Sequence, residues 1–509
     1  MQSRIFTYTG FSIPSANDSV FFRCVANSAV LPLLLVFCLN FLVNARRRFI
    51  MHIPIPTFPS PRWIFAATLS SLMVSACGGG DSKILSEHTG QAVVNGRISG
   101  DLEGVWRVLG EGTLMEFQSN AVMRYQEAGT LCFPQPITSG AIEQFKDFSY
   151  RTTANLRAIR AELFELPGFP ATYSLERIGS VPSECRKAPP TDPATTFRAL
   201  KDVITLDYAF LKERHIDWPQ ITNRLAPQAA AATNDDALQA VMSDALKDFN
   251  DVHTALIRSR GGVLNYAFLS GNKPTTQLLR KAFAAQNEIG DFLTFQEVWK
   301  AGVRKQITPL LQGSPGPVLG DTMVWGRLPG NVGYIEIGSM SEFSSPYSAK
   351  ADMAMARAEM VRALAALSDT RALIIDVSLN SLVGLDQVSA ELAGSFARTR
   401  VLGFTKQAHR PQGRSEQSWY IEPKGTQTYV KPVYLLTSDL TVSAAETFTL
   451  MMRALPQVTQ IGQTTAGSLS NSLVKPLPGS FFVSLSNEVY RDASGVAFEA
   501  TGIPPRPNL

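Results

Sequence analysis

The chain has 509 residues, 45% hydrophobic, 18% charged and 9% aromatic, with 47 Lys plus Arg against 43 Asp plus Glu. High hydrophobic content and only five Cys exclude a disordered chain, a collagen-like repeat and a disulfide-dense miniprotein, and a mean hydropathy of +0.02 excludes a polytopic membrane protein. The net charge of +4 is confined to the front, where residues 1–76 hold six Arg and one Asp; the remainder carries −1, so no basic domain is left as a nucleic-acid footprint.

The front has the pattern of targeting sequence. Residues 29–43 are apolar but contain Pro32 and Asn40, and Arg46, Arg47 and Arg48 follow. Positive-inside logic would put residues 1–28 outside the cytoplasm, so residues 1–50 read as mis-assigned upstream sequence with Met51 as the true start. After Arg62, residues 63–76 form an apolar run shorter than the ~20 residues that span a bilayer. The run ends in Val74-Ser75-Ala76-Cys77 and is followed by Gly78-Gly79-Gly80. This resembles a bacterial lipoprotein signal peptide. The resemblance implies loss of residues 1–76, lipidation of Cys77, a flexible tether over 77–92, and anchoring to a membrane of the cell envelope through lipid, facing the periplasm or the outside. Cys132 and Cys185 remain in the exported chain as a candidate disulfide pair. No CxxC, HExxH or HxH spacing occurs, so neither a metal site nor a cofactor is expected.

Residues 93–190 read as a small β-rich domain. Short apolar runs broken by Gly, Asn and Glu cover 105–129, another strand covers 169–179, and 141–164 reads as helical or mixed. Residues 191–330 read as helical and loop-rich, with helices over 195–218 and from Asn234 to near Asp251, just before His253. From 331 to 509 strands and helices alternate: strand 331–340, helix 349–367, strand 372–378, helix 385–397, strand 432–438 and helix 444–455. That pattern predicts an α/β domain whose central sheet is covered on both faces. Chemistry in such sheets sits at the carboxyl ends of the strands, here the loops after Ile375 and Thr437.

Ser443 opens the helix that follows the second loop. Two roles fit it: an N-cap in a capping box with Glu446, or a nucleophile exploiting the free N–H groups at the helix start. A nucleophilic Ser needs a base. Of His52, His88, His215, His253 and His409, the first two fall in the leader and tether, and His253 alone occupies a tight helix-to-loop motif, Asp251-Val252-His253-Thr254.

Together these residues resemble the serine peptidases that include the tail-specific and carboxyl-terminal processing proteases and the tricorn core, in the branch using Ser, His and Glu. Five blocks occur in family order: DVHTAL from Asp251, LIIDVSLN from Leu373, SAAE from Ser443, IGQTTAG from Ile461 and EATGIPP from Glu499. The resemblance implies a central mixed sheet of crotonase-like ββα topology and hydrolysis of a polypeptide substrate. In it Ser443 attacks the carbonyl, His253 shuttles the proton, Glu499 orients the imidazole, and the Ala444 N–H supplies one oxyanion donor. Ser468 stands where the other branch places its catalytic Lys, so a Ser and Lys pair is not provided there.

Three departures bear on activity. The family's glycine pair after the buried strand is replaced by Ser381-Leu382-Val383-Gly384, leaving Gly384 as the second oxyanion donor after a one-residue shift. Arg506 replaces a common Asp, and the chain stops at Leu509, where relatives usually continue, which reads as a truncated frame. Residues between His253 and Asn331 show no clear PDZ module. The two functions that follow are a lipid-anchored serine endopeptidase and a degenerate member that binds a peptide or other ligand without cleaving it.

Overall fold

The computed structural model describes residue 84 and residues 86–135, 142–155, 158–260, 263–381, 384–410, 413, 415–425 and 428–505. The leader, Met51, Cys77, Leu382, Val383, Arg506 and Leu509 lie outside the described residues.

The N-terminal region is an eight-stranded antiparallel sheet with spatial order Ser86–Gln91, Ser149–Ala154, Ile159–Phe164, Tyr173–Ile178, Gly104–Val108, Thr113–Gln118, Ala121–Ala128 and Leu131–Pro134. Two expectations are corrected here. The first strand falls in the stretch read as a tether, and residues 149–164 form two strands. Their burial alternates along the chain, with Tyr150 and Thr152 inward and Arg151 outward, which is the period of a half-buried strand. Trp106, Phe117, Phe145 and Leu163 fill the core of the sheet. Cys132 and Cys185 are joined in a disulfide that ties the last strand to the turn Ser183–Arg186.

Three helices follow: α1 (Pro193–Asp207), α2 (Trp218–Ala230) and α3 (Asp235–Leu246). Asp192, Asp217 and Asn234 cap them, each side chain accepting from an N–H in the first turn. The helix read over 195–218 therefore ends at Asp207, and a second begins only at Trp218. The chain turns extended at Tyr208, whose ring is buried, and restarts helical only at the cap Asp217 with Pro219 in the first turn. Helix α3 also stops short of Asp251, at Leu246, and Asn250 adopts a left-handed backbone with φ 47°. The apolar faces of α1 to α3 pack on Phe481, Val483 and Leu485.

Those three residues belong to a four-stranded antiparallel sheet ordered Val263–Leu269, Ala255–Arg260, Phe481–Ser486 and Ser472–Pro476. Helices α4 (Pro274–Ala284) and α5 (Phe292–Ile307) lead from it to the central sheet. The central sheet is mixed, ordered Met323–Leu328, Val332–Ile337, Ala372–Asp376, Val433–Thr437 and Val458–Gly462, antiparallel at its first pair and parallel thereafter. Its first strand, like the pair Ala255–Arg260 and Val263–Leu269, lies in the region read as helical and loop-rich. Helices α6 (Ala349–Ala366), α7 (Asp386–Ala393) and α8 (Ala444–Arg453) share the core of this sheet through Met360, Val388, Phe448 and Met451. A three-stranded sheet, Gln417–Ile421, Val401–Ala408 and Glu488–Asp492, lies against α7 and α8. Lys475 buries its ammonium on the Glu111 and Gly112 carbonyls, which fixes a turn of the N-terminal sheet to the strand Ser472–Pro476.

Candidate functional site

Three consecutive parallel strands end at one edge, and their loops interlock. Asn380 holds the first loop by donating its amide to the Ile337 carbonyl (3.0 Å), and its own carbonyl accepts the Val442 N–H (3.2 Å). In the second loop the Ser443 N–H donates to the carbonyl of Ser468 (3.0 Å), in the third. The Ala466 N–H returns to the Thr441 carbonyl (2.9 Å). Ser443 is thereby fixed by its backbone, and its side chain makes no hydrogen bond among the described residues.

The Ser443 backbone is in the left-handed region, φ 58° and ψ −122°. With the Ala445 N–H bonded to the Val442 carbonyl (3.1 Å), residues 442–445 form a type II′ turn whose first central position, usually Gly, holds a Ser. Such a conformation costs a non-glycine residue on the order of 1–3 kcal/mol. The capping box expected of Ser443 and Glu446 does not form: the Ser443 backbone is left-handed rather than extended, and its side chain makes no capping bond. Glu446 instead accepts from Thr465 Oγ1 (2.6 Å) and from the N–H groups of Gly467 (2.8 Å) and Ser468 (2.8 Å).

The Ala444 N–H, next to Ser443, donates to no described residue. Gly384 sits beside it, in a parallel bridge to Met340. A β-carbon on Gly384 would lie 2.5 Å from Ala444 Cβ and 2.9 Å from Met340 Cβ, so only glycine lets these backbones approach. Its N–H likewise donates to no described residue. Two N–H groups on neighbouring segments, one directly following Ser443, are therefore without an acceptor among the described residues.

His253 arrives on the turn before the strand Ala255–Arg260. Its partner in sequence, Asp251, is fully buried and organises the turn, accepting from the His253 N–H (3.0 Å), Thr254 Oγ1 (3.0 Å), Tyr208 Oη (3.0 Å) and Ser468 Oγ (3.1 Å). Ser468 Oγ also accepts the Val252 N–H (3.2 Å). Ser468 thus bonds to both sides, to the histidine turn through its hydroxyl and to Ser443 through its carbonyl. Burial alone would raise Asp251, but the Arg214 charge and the His253 contacts hold it down at about 2. Burial pushes the His253 imidazole below its ordinary value, against the pull of the Asp251 carboxylate.

Glu499 is brought into the same buried group but not to the imidazole. Its carboxylate accepts from Arg214 Nη2 (2.8 Å) and from the N–H groups of Leu469 (2.8 Å) and Ser470 (3.2 Å). Burial, and then the Asp251 charge, push it up to about 8 despite Arg214. His253 Nδ1 is buried without a hydrogen-bond partner, and among the described residues no hydrogen bond joins Ser443 to His253 or His253 to Glu499. The residue that joins Glu499 to Asp251 is Arg214, with Asp251 Oδ1 at 3.7 Å. Sequence reading passed over Arg214, which lies between α1 and α2 in a stretch with no motif. Ser468 was legible only as the place where a lysine is missing.

Residues 331–507 match the model of a family described as peptidase family S41. Similar solved structures include a candidate peptidase from Parabacteroides merdae, 21% identical over 62% of this chain and 89% of that one, with a TM-score of 0.48. A lipoprotein from Streptococcus agalactiae is 16% identical over 63% and 92% of the two chains, TM-score 0.38. A photosystem II D1 C-terminal processing protease is 13% identical over 63% and 93%, TM-score 0.37.

Proposed function

Because the chain belongs, through residues 331–507, to peptidase family S41, we propose that it is a serine endopeptidase in which Ser443 is the nucleophile and His253 the base. The observation that carries this is the Ser443 backbone, φ 58° at the start of α8 with the hydroxyl unused as a cap. A strained backbone at a polar residue whose side chain makes no capping bond supports a site positioned for chemistry. The Ser443 oxygen attacks the scissile carbonyl while His253 takes its proton, and the tetrahedral oxyanion is received by the N–H groups of Ala444 and Gly384. The protonated imidazole then hands its proton to the leaving amine, and water cleaves the acyl-enzyme by the same steps in reverse order of partners. The Ser443 to His253 hydrogen bond is made on substrate binding, since such bonds are often long in unliganded enzymes. Glu499 acts through the loop 469–470 and Arg214, shaping the floor on which Ser468 holds the histidine turn.

The same proposal places the protein in the cell envelope, anchored by lipid on Cys77, with polypeptides as substrates. Support for the anchor is the run from Arg62 to Cys77 in the sequence. The second function, a peptide binder that does not cleave, is favoured by one observation: the Glu499 carboxylate is occupied by Arg214 and two N–H groups, away from His253. A fluorophosphonate distinguishes the two. Mass-spectrometric mapping should find the adduct on Ser443 of the folded protein; no adduct there removes the peptidase.

Two further outcomes are expected. Gly384→Ala should lower kcat by about 100- to 1,000-fold, the usual cost of an oxyanion donor, because the new methyl drives Gly384 away from Ala444; a kcat within threefold of wild type would remove Gly384 from the oxyanion site. The lowered His253 pKa keeps the imidazole neutral at pH values where an ordinary His is protonated. The acid limb of kcat/KM against pH should therefore fall below 6.5, and a limb above 6.5 would contradict the assignment of His253 as base.

A further inference from the structure

One cation near this buried group is unused by the mechanism. Lys273 lies on the loop between the strand Val263–Leu269 and α4, and that loop is tied on both sides. On the histidine side, the Ser270 N–H donates to the Thr254 carbonyl (3.0 Å) and the Asn272 N–H to Asn250 Oδ1 (3.0 Å). Gly271 packs so closely on Val252 that a β-carbon would lie 3.0 Å from its Cγ2. On the nucleophile side, the N–H of Thr275, in the first turn of α4, donates to Asp439 Oδ2 (2.7 Å), in the segment that leads to Ser443. Lys273 is therefore fixed between the turn carrying His253 and the loop carrying Ser443.

Its side chain is half-buried, yet it caps nothing, and among the described residues its ammonium makes no hydrogen bond or ion pair. The charges that act on it are Arg214, Glu446, Asp251 and Glu499, the group beneath Ser443 and His253. Each of the three carboxylates already accepts three or more hydrogen bonds from other groups: Asp251 from its own turn and Ser468, Glu446 from 465–468, Glu499 from Arg214 and 469–470. Burial, followed by the Arg214 charge, pushes its pKa down. A partly desolvated ammonium without a bonded counter-ion is unfavourable, and an arriving anion relieves it.

We propose that Lys273 binds a carboxylate of the peptide lying across Ser443, and so gives this cleft a preference for acidic substrates. The ligand class rests on the peptidase function; the cation and its placement do not. A side-chain carboxylate and a chain-terminal carboxylate present the same chemistry to an ammonium, so the test separates them.

The test uses the full chain carrying Ser443→Ala, so that binding is read without turnover. Fluorescence anisotropy compares three labelled peptides of one scaffold: an internal Glu with an amidated end, an internal Gln with a free end, and an internal Gln with an amidated end. At least one carboxylate peptide should bind ten times or more tighter than the neutral one at low salt, with the preference shrinking as salt rises. Adding Lys273→Gln should abolish the preference, and Lys273→Arg should keep most of it. The preferred peptide identifies the carboxylate source. Equal binding of all three, a preference that survives Lys273→Gln, or no binding overturns the proposal. Fluorophosphonate labelling of the unsubstituted protein runs alongside. Labelling without a carboxylate preference removes only the role of Lys273, and a preference without labelling removes only the peptidase.

Discussion

Ser443→Ala should lower kcat by about 10⁴-fold or more and abolish the fluorophosphonate adduct, while leaving stability nearly unchanged. The first half follows from loss of the oxygen proposed to attack, for which removal of a catalytic serine sets the scale. The second half follows from the backbone. Ser443 is at φ 58°, and Ala suffers the same steric conflict there as Ser, so no strain is relieved. The hydroxyl makes no bond among the described residues, so none is lost. Ser443→Gly provides the complementary measurement. Glycine adopts this conformation without a β-carbon clash, so the variant should be inactive and more stable than wild type by about 1 kcal/mol in urea titration. An activity loss accompanied by matching destabilisation in both variants would mean that Ser443 serves the fold. Stability gained as activity is lost is the signature expected of a strained nucleophile.

The residues whose role is local were legible in the sequence, and those whose role is long-range were not. Alternating strands and helices from 331 onward pointed to an α/β domain with a central sheet, and the sheet rule pointed to the loops holding Gly384 and Ser443. The spacing of Asp251 and His253 marked the histidine turn. Arg214 could not be found this way, because its partners Gly467 and Glu499 are 253 and 285 residues distant, and a lone Arg in a polar stretch has no pattern. The capping box failed for a different reason. Sequence spacing assumes an extended backbone at the cap, whereas the bond from Ser443 N–H to the Ser468 carbonyl accompanies a left-handed one. Residues 149–164 were misread as helical or mixed; their alternation becomes plain only with burial, since Arg151, Arg160 and Glu162 are polar residues on a sheet face.

Arg214→Met should destabilise the protein by about 3–5 kcal/mol, the cost of removing one partner from a buried ion pair. The side chain is only 3% exposed and its fork reaches several elements at once: Glu499 at 2.8 Å, the Gly467 carbonyl at 2.8 Å and the Asn250 carbonyl at 2.7 Å. Without it, Asp251 and Glu499 remain buried together with no cation in contact. The pH dependence separates this cause from simple loss of packing. In the wild type Asp251 is held at about 2, below its ordinary 3.8, so its contribution is present above pH 3.8 and fades only as pH falls through about 2. In the variant the Arg214 charge that lowers both is gone, so Asp251 rises from about 2 and Glu499, already raised to about 8 in the wild type, rises further. Their protonated forms are then the stable ones in the folded state, and stability is lost as pH rises through the raised values. The difference between wild type and variant should therefore be larger at pH 8 than at pH 5 in denaturant titrations. Arg214→Lys, which keeps the charge but not the fork, should fall between them. A loss that is the same at both pH values, or below about 1 kcal/mol, would mean that Arg214 contributes packing alone, and that the two carboxylates beneath Ser443 and His253 are held by their N–H donors.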